Sequence, residues 1–172
     1  DATWEKVNKL KLEAVDAAGK RTPVPFARDK AQLNATVPAG TTAVVGALDY
    51  GTFAKGDAKP RALRFYPKAV VTGADAATGA GLEVVAVAEA GKVRFRVLAA
   101  GKPVAAAKAS VMVPEKGEKE DATTDEQGLT PAFAAKGRYG VTVRHEEAKG
   151  GEADGVKYET TLHVATLVVD VK

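Results

Sequence analysis

Lys92-Val93-Arg94-Phe95-Arg96-Val97-Leu98 is the stretch that decides the fold of this chain. Val93, Phe95 and Val97 alternate with Lys92, Arg94 and Arg96, the period-two pattern of a strand with one dry and one wet face. Leu82–Ala88 reads as its antiparallel partner across a tight Glu89-Ala90-Gly91 turn. Downstream, Ala100-Gly101-Lys102-Pro103 is a turn and Ala107–Val113 the next strand. Pro114–Asp121 is charged and loop-like, and Thr123-Thr124-Asp125-Glu126-Gln127-Gly128 is a turn before a strand at Leu129–Ala134. Tyr139–Glu147 and Tyr158–Val171 then form a hairpin across an Ala148–Lys157 loop.

These six strands in about ninety residues, with turns every 8–12 residues, predict an immunoglobulin-like β-sandwich of about seven strands for residues 82–172. Before it, strands are expected at Lys6–Val15, Val24–Arg28, Gln32–Val37, Thr42–Tyr50 and Ala62–Val71. Their breaks carry turn chemistry at Ala18-Gly19-Lys20, Pro38-Ala39-Gly40 and the Gly51–Pro60 loop with its Gly56-Asp57 pair. Trp4, Phe26, Tyr50, Phe53, Phe65 and Tyr66 are concentrated here and read as packing residues. Residues 73–81, small and turn-prone without a hydrophobic period, read as a linker. The expectation is an all-β chain of two β-sandwich-like domains, 1–72 and 82–172. The first is expected to lack upstream strands, and the opening Asp1 reads as the start of a processed or excised product.

Composition removes several kinds of chemistry. Of 172 residues, 45% are hydrophobic and 27% charged, which suits a folded chain. No apolar run reaches the ~18–20 residues of a membrane-spanning helix. With no cysteine there are no disulfides, thiolate metal sites or cysteine nucleophiles. The net charge of +3 divides into +5 for residues 1–72 and −2 for the rest. The basic residues are scattered without interleaved aromatics, so nucleic acid is not an expected partner. The carboxylate run Glu115, Glu118, Glu120, Asp121, Asp125 and Glu126 lacks EF-hand spacing and is interrupted by Lys116 and Lys119. Ser110, the one serine, has no evident base, and no phosphate-binding or His-Glu-x-x-His motif occurs. An enzyme is not expected.

The segment from Gly101-Lys102-Pro103-Val104 through Thr123-Thr124-Asp125-Glu126-Gln127-Gly128 to Gly137-Arg138-Tyr139-Gly140-Val141 resembles the prealbumin-like or carboxypeptidase-regulatory-like group of small extracellular sandwiches. Taken whole, the chain resembles bacterial exported proteins labelled NikM-like. The residues that carry this are Ala47-Leu48-Asp49-Tyr50-Gly51, Leu63-Arg64-Phe65-Tyr66-Pro67-Lys68-Ala69, Gly81-Leu82-Glu83-Val84-Val85, His145-Glu146-Glu147 and His163-Val164-Ala165-Thr166-Leu167. That resemblance implies a periplasmic or extracellular protein accessory to nickel or cobalt uptake, with metal-transport components as partners. Family members usually carry a His-rich mature N-terminus that this chain does not contain.

The two histidines, His145 and His163, offer a constellation independent of any family. His145 shares a strand face with Val141 and Val143, and His163 with Ala165, Leu167 and Val169. An antiparallel register summing to 308 would set His145 opposite His163, with Cβ atoms about 4.5–5.5 Å apart, close enough to share a metal. Nickel, cobalt, copper or zinc would need further ligands. Glu147 and Glu159 have the matching face parity, whereas Glu146 points the other way. The plainer reading is a half-buried pair, each ring hydrogen-bonded to a neighbour. Function is therefore expected to be that of an exported, non-catalytic binding protein for a divalent transition metal. The alternative is a structural or adhesive module that pairs with another protein chain through exposed strands; a homo-oligomer suits either.

Overall fold

The Lys92–Leu98 alternation becomes a strand whose odd residues are sealed: Val93, Phe95 and Val97 are at most 2% exposed. A computed structural model describes residues 2–30, 32–56, 58–114, 117–134 and 136–172. Asp1, Asp57, Glu115 and Lys116, each part of a reading above, lie outside them. One short helix, α1 (Ala2–Val7), is followed by β1 (Lys11–Asp16), β2 (Arg21–Pro23), β3 (Phe26–Asp29), β4 (Gln32–Ala35), β5 (Thr41–Phe53), β6 (Arg61–Val70), β7 (Leu82–Glu89) and β8 (Lys92–Ala99). The order continues with β9 (Lys102–Pro103), β10 (Lys108–Met112), β11 (Lys119–Thr123), β12 (Gly137–Glu147), β13 (Gly151–Ala153), β14 (Val156–Tyr158) and β15 (Thr160–Val171).

The chain is all-β in character. Eight strands make one sheet in the order β11-β10-β12-β15-β6-β5-β1-β2, and β7-β8-β9 make a second. β3-β4 and β13-β14 are separate two-stranded ribbons. Within the large sheet every pairing is antiparallel except β15 with β6, which is parallel. The small sheet packs on the large one in a sandwich-like arrangement. Leu82, Val84, Val93, Phe95 and Val97 meet Ala109, Val111, Tyr139, Val141, Val143, Ala165, Leu167 and Val169 in one core. At its centre Phe95, Phe133 and Tyr139 pack ring against ring at 5.4–6.0 Å. Burial of such rings is the main driving force of the fold.

Several expected elements take another form. The strand expected over Lys6–Val15 begins only at Lys11, because residues 2–7 form α1. Ala, Glu and Lys favour a helix, and the segment is held by Arg28 over the Trp4 ring at 3.9 Å and Lys6 over Tyr50 at 4.5 Å. Leu129–Ala134 joins the small sheet only through isolated bridges, Leu129 to Arg96 and Phe133 to Val93. The charged stretch read as a loop supplies β11, an edge strand paired with β10. The turn before Leu129 forms as expected: Asp125 Oδ1 accepts from the Gln127 and Leu129 amides, and Gly128 has φ +73°. A Cβ at Gly128 would also stand 2.8 Å from the Val97 carbonyl oxygen.

The large sheet draws strands from both sides of residues 73–81, with β6 and β15 meeting in one continuous ladder. The segment itself is fastened to the sheets: Lys68 Nζ donates to the Ala76 carbonyl, and Glu83 accepts from the Thr78 and Gly79 amides.

Removing a ring from the centre of this core leaves a cavity that the stiff sheets cannot close. Phe95→Ala is expected to lower unfolding free energy by about 3–5 kcal/mol, whereas Val168→Ala, 43% exposed on the outer face, should cost less than about 0.5 kcal/mol. Urea denaturation followed by circular dichroism measures both.

Candidate functional site

The pairing of β12 with β15 sets His145 directly opposite His163, the register summing to 308. The ladders continue sideways, His163 beside Arg64 and Arg64 beside Asp49. Adjacent partners on paired strands share a face, so Asp49, Arg64, His163 and His145 form one polar row across four strands. It lies on the inner face, one pleat beyond the apolar row that contains Val143, Ala165 and Tyr66.

His163 is the buried member, 7% exposed, and both its ring nitrogens are engaged. Nδ1 is 3.1 Å from the Tyr66 hydroxyl and Nε2 is 3.2 Å from Glu147 Oε2. The ionised carboxylate can only accept, so Nε2 carries the proton and donates to Glu147, while the Tyr66 hydroxyl donates to Nδ1. The rings of Tyr66 and His163 stack, centroids 5.8 Å apart and planes within 12°. Gly81 makes room for this arrangement: a Cβ there would fall 2.6 Å from the Tyr66 hydroxyl oxygen. Arg64 turns its guanidinium toward Asp49, Nε to Oδ2 3.5 Å.

Burial pushes the His163 imidazole below its ordinary pKa of 6.5; the Glu147 bond raises it, and the positive fields of Arg64 and His145 lower it again. Burial likewise raises the Tyr66 phenol, against the opposing pull of Arg64. The site therefore presents a neutral, donor-bearing imidazole at neutral pH.

Of the four side chains expected to hold a metal, His145 and His163 are opposed across the β12–β15 ladder and a third, Glu147, bonds His163. Glu159 does not join them and pairs with Lys59 at 2.8 Å on the exposed surface. Glu146 faces away, as its parity required, and pairs with Arg61 at 3.0 Å. Two imidazoles and a carboxylate are suitable donors for a borderline divalent metal. As the side chains stand they do not converge: among the described residues, no three His, Asp or Glu groups could reach one ion. A metal at His163 would have to displace the Nε2 proton and the Glu147 bond that it makes.

Family models, curated proteins and solved structures offer no match to this chain.

Two openings flank Tyr66. One, about 380 Å³, is lined by Lys9, Lys11, Asp49, Arg64 and Tyr66, so three cations face one carboxylate. The other, about 750 Å³, is an apolar cleft between Leu10, Leu12, Val24, Pro25, Phe26 and Val45. Tyr66, Arg64 and Asp49 were not singled out as site residues in the sequence. Their odd-even parity was readable, but their approach to His163 depends on a parallel pairing that no local pattern announces.

His163 should titrate below 6.5 in a two-dimensional NMR pH series, and further below it in Glu147→Gln, which removes the one neighbour that favours the cation. The unfolded chain protonates first as the pH drops, so the His163 contribution to stability is level above about 6.5 and declines below it. An unchanged or raised value in Glu147→Gln would contradict the hydrogen-bond assignment.

Proposed function

We propose that this chain is a non-catalytic β-scaffold, a structural module of an exported assembly, and that it meets another protein chain through the outer face of its large sheet. Residues 82–172 serve as its immunoglobulin-like, prealbumin-like part, and the periplasm or cell exterior is its compartment. The reading rests on one observation. Met112, Gly140, Val168, Ala69 and Val44 are consecutive cross-strand partners, an apolar band over five strands. Met112 and Val168 are 45% and 43% exposed.

The band has the layout of a contact surface. On one side it is bordered by the Arg138–Asp170 ion pair, and on the other by Ser110, Thr142 and Thr166. An apolar centre with a polar rim is how interfaces between folded chains are built, and contiguous apolar surface on a folded chain marks such sites. Small residues along the band leave it flat, which suits another sheet at the usual ~10 Å spacing. The partner in this reading is a second copy of the chain, packed face to face.

Size-exclusion chromatography with light scattering, from about 10 µM to 1 mM to capture weak association, tests it. A mass rising toward the dimer is expected, with Val168→Lys and Met112→Lys returning the monomer. A monomer across the whole range would overturn the reading.

A second reading, metal handling with metal-transport components as partners, is favoured by the direct opposition of His145 and His163. His145, His163 and Glu147 would hold nickel, cobalt, copper or zinc, with water completing the set. Calorimetric titration with each metal is expected to show binding in the wild type and none in a double His→Ala variant. Heat that is absent, or unchanged in that variant, would eliminate the metal reading and leave the scaffold reading untouched.

A further inference from the structure

Lys68, Asp75 and Glu83 form a charged trio sealed inside the protein, their side chains 4%, 1% and 3% exposed. Lys68 projects from β6 on the same face as Tyr66 and Arg64, under the strap of residues 72–79. Its Nζ donates to the Ala76 carbonyl at 2.7 Å and to Glu83 Oε1 at 2.9 Å. Asp75 Oδ1 also stands 2.7 Å from Nζ, yet it accepts no hydrogen bond. The nitrogen therefore approaches this carboxylate off the directions that a hydrogen bond takes. The other oxygen, Oδ2, is held by the Ala86 amide at 2.8 Å. Glu83 is fixed by donors from Thr78 N, Thr78 Oγ1 and Gly79 N at 2.7–3.1 Å.

An ion trio out of water is costly unless its charges are fully compensated. Here one carboxylate oxygen is left without a hydrogen bond 2.7 Å from the Lys68 nitrogen. The parts present match those of an acyl transfer: a nitrogen nucleophile, a carboxyl carbon whose second oxygen is held by a backbone N–H, and a carboxylate against the nitrogen to move protons.

We propose that Lys68 and Asp75 condense into an intramolecular amide, with Glu83 relaying the protons. A proton passes from the ammonium to Asp75 Oδ1, 2.7 Å away, leaving a neutral amine beside a carboxylic acid. The Nζ lone pair attacks Asp75 Cγ, and the N–C bond forms. Glu83 takes a proton from nitrogen and delivers it to Oδ1, the Cγ–Oδ1 bond breaks, and Oδ1 departs as water with two protons that began on Lys68. No oxidant or cofactor is consumed, and Glu83 ends as it began. Oδ2 remains as the amide oxygen, still accepting from Ala86, and the amide N–H donates to Glu83 or Ala76. Burial pushes the Glu83 carboxyl up, but the Lys68 ammonium and the Thr78 bonds outweigh it and hold the group below its ordinary range, the state in which it accepts a proton. The product pins the strap to β6 beside the edge of β7, independently of what the outer face binds.

Intact-mass spectrometry of the denatured wild-type chain reads the reaction directly: the mass should lie about 18 Da, one water, below that of the sequence. Tryptic mapping should find no cleavage after Lys68 and fragment ions that join Lys68 to Asp75. Asp75→Ala and Lys68→Arg should each show the full mass of their own sequence. A wild-type chain at full mass overturns the proposal. A water loss that persists in Lys68→Arg also overturns it, by placing the dehydration outside the Lys68–Asp75 pair. Glu83→Gln, folded by circular dichroism, should keep its full mass; conversion as complete as in the wild type would remove Glu83 from the relay.

Discussion

The parallel ladder between β6 and β15 is the constraint on which the rest depends. It runs from Arg61 beside Thr160 to Ala69 beside Val168 and joins strands that lie far apart in the chain. Parallel neighbours require a crossover, and here the crossover contains the whole second sheet. The register carries the chemistry as well. With side chains alternating every residue, a slip of one position would send Arg64, Tyr66 and Lys68 outward and bring Phe65, Pro67 and Ala69 in. The polar row and the buried lysine exist only in the observed alignment. Pro67 shows what that alignment tolerates. A proline within a sheet removes a donor from the ladder, and the β5–β6 pairing is interrupted there, between Val45–Lys68 and Leu48–Phe65. Gly46 accommodates the ring, since a Cβ would stand 2.7 Å from Pro67 Cγ.

The inner face of the large sheet changes character along the strands. Toward Val169 and Val111 it is dry and packed under β7 and β8. Toward the start of β6 and the end of β12 it turns polar, and each polar group there meets a partner in proportion to its burial. His163, nearly sealed, has both nitrogens engaged. Arg64, about one-third exposed, has a looser pair with Asp49, the kind that contributes little to stability. Lys68 is the exception, deep and charged, and its environment is assembled by the strap that looked most like a spacer.

How much of this the sequence revealed depends on whether the signal was local. The alternation at Lys92–Leu98 and the Asp125–Gly128 turn are local, and both formed as written. Parity allowed the opposition of His145 to His163, but several registers share that parity, and the β12–β15 ladder itself selects the one that achieves it. Glu147 and Glu146 went to the sides their parity dictated. Glu159 does not join the histidines, because β15 starts only at Thr160, so strand parity does not extend to it, and Lys59 draws the carboxylate away. Residues 2–7 lacked a distinctive period, and cation–aromatic contacts with residues far along the chain settled them as helix. The apposition of Lys68, Asp75 and Glu83 had a readable part, their closeness in sequence. Their common burial came only from the sheets above and below.

The sheet's two outer strands bear on how the chain can meet a neighbour. β2 is three residues long and ends in Pro23, which has no N–H to offer. β11 carries Lys119, Glu120 and Asp121 in five residues. Short, charged and proline-bearing edges are the devices by which sheets resist strand-to-strand addition. Docking through exposed edges would need free backbone donors on strands that shed water easily, and neither edge supplies both. The outer face imposes no such demand, because its backbone groups are already paired within the sheet and only side chains must leave water. An apolar band interrupted by Gly140 and Ala69 can therefore be covered without stranding a polar group, and this makes the face, rather than the edge, the physically cheaper place for a second chain to bind.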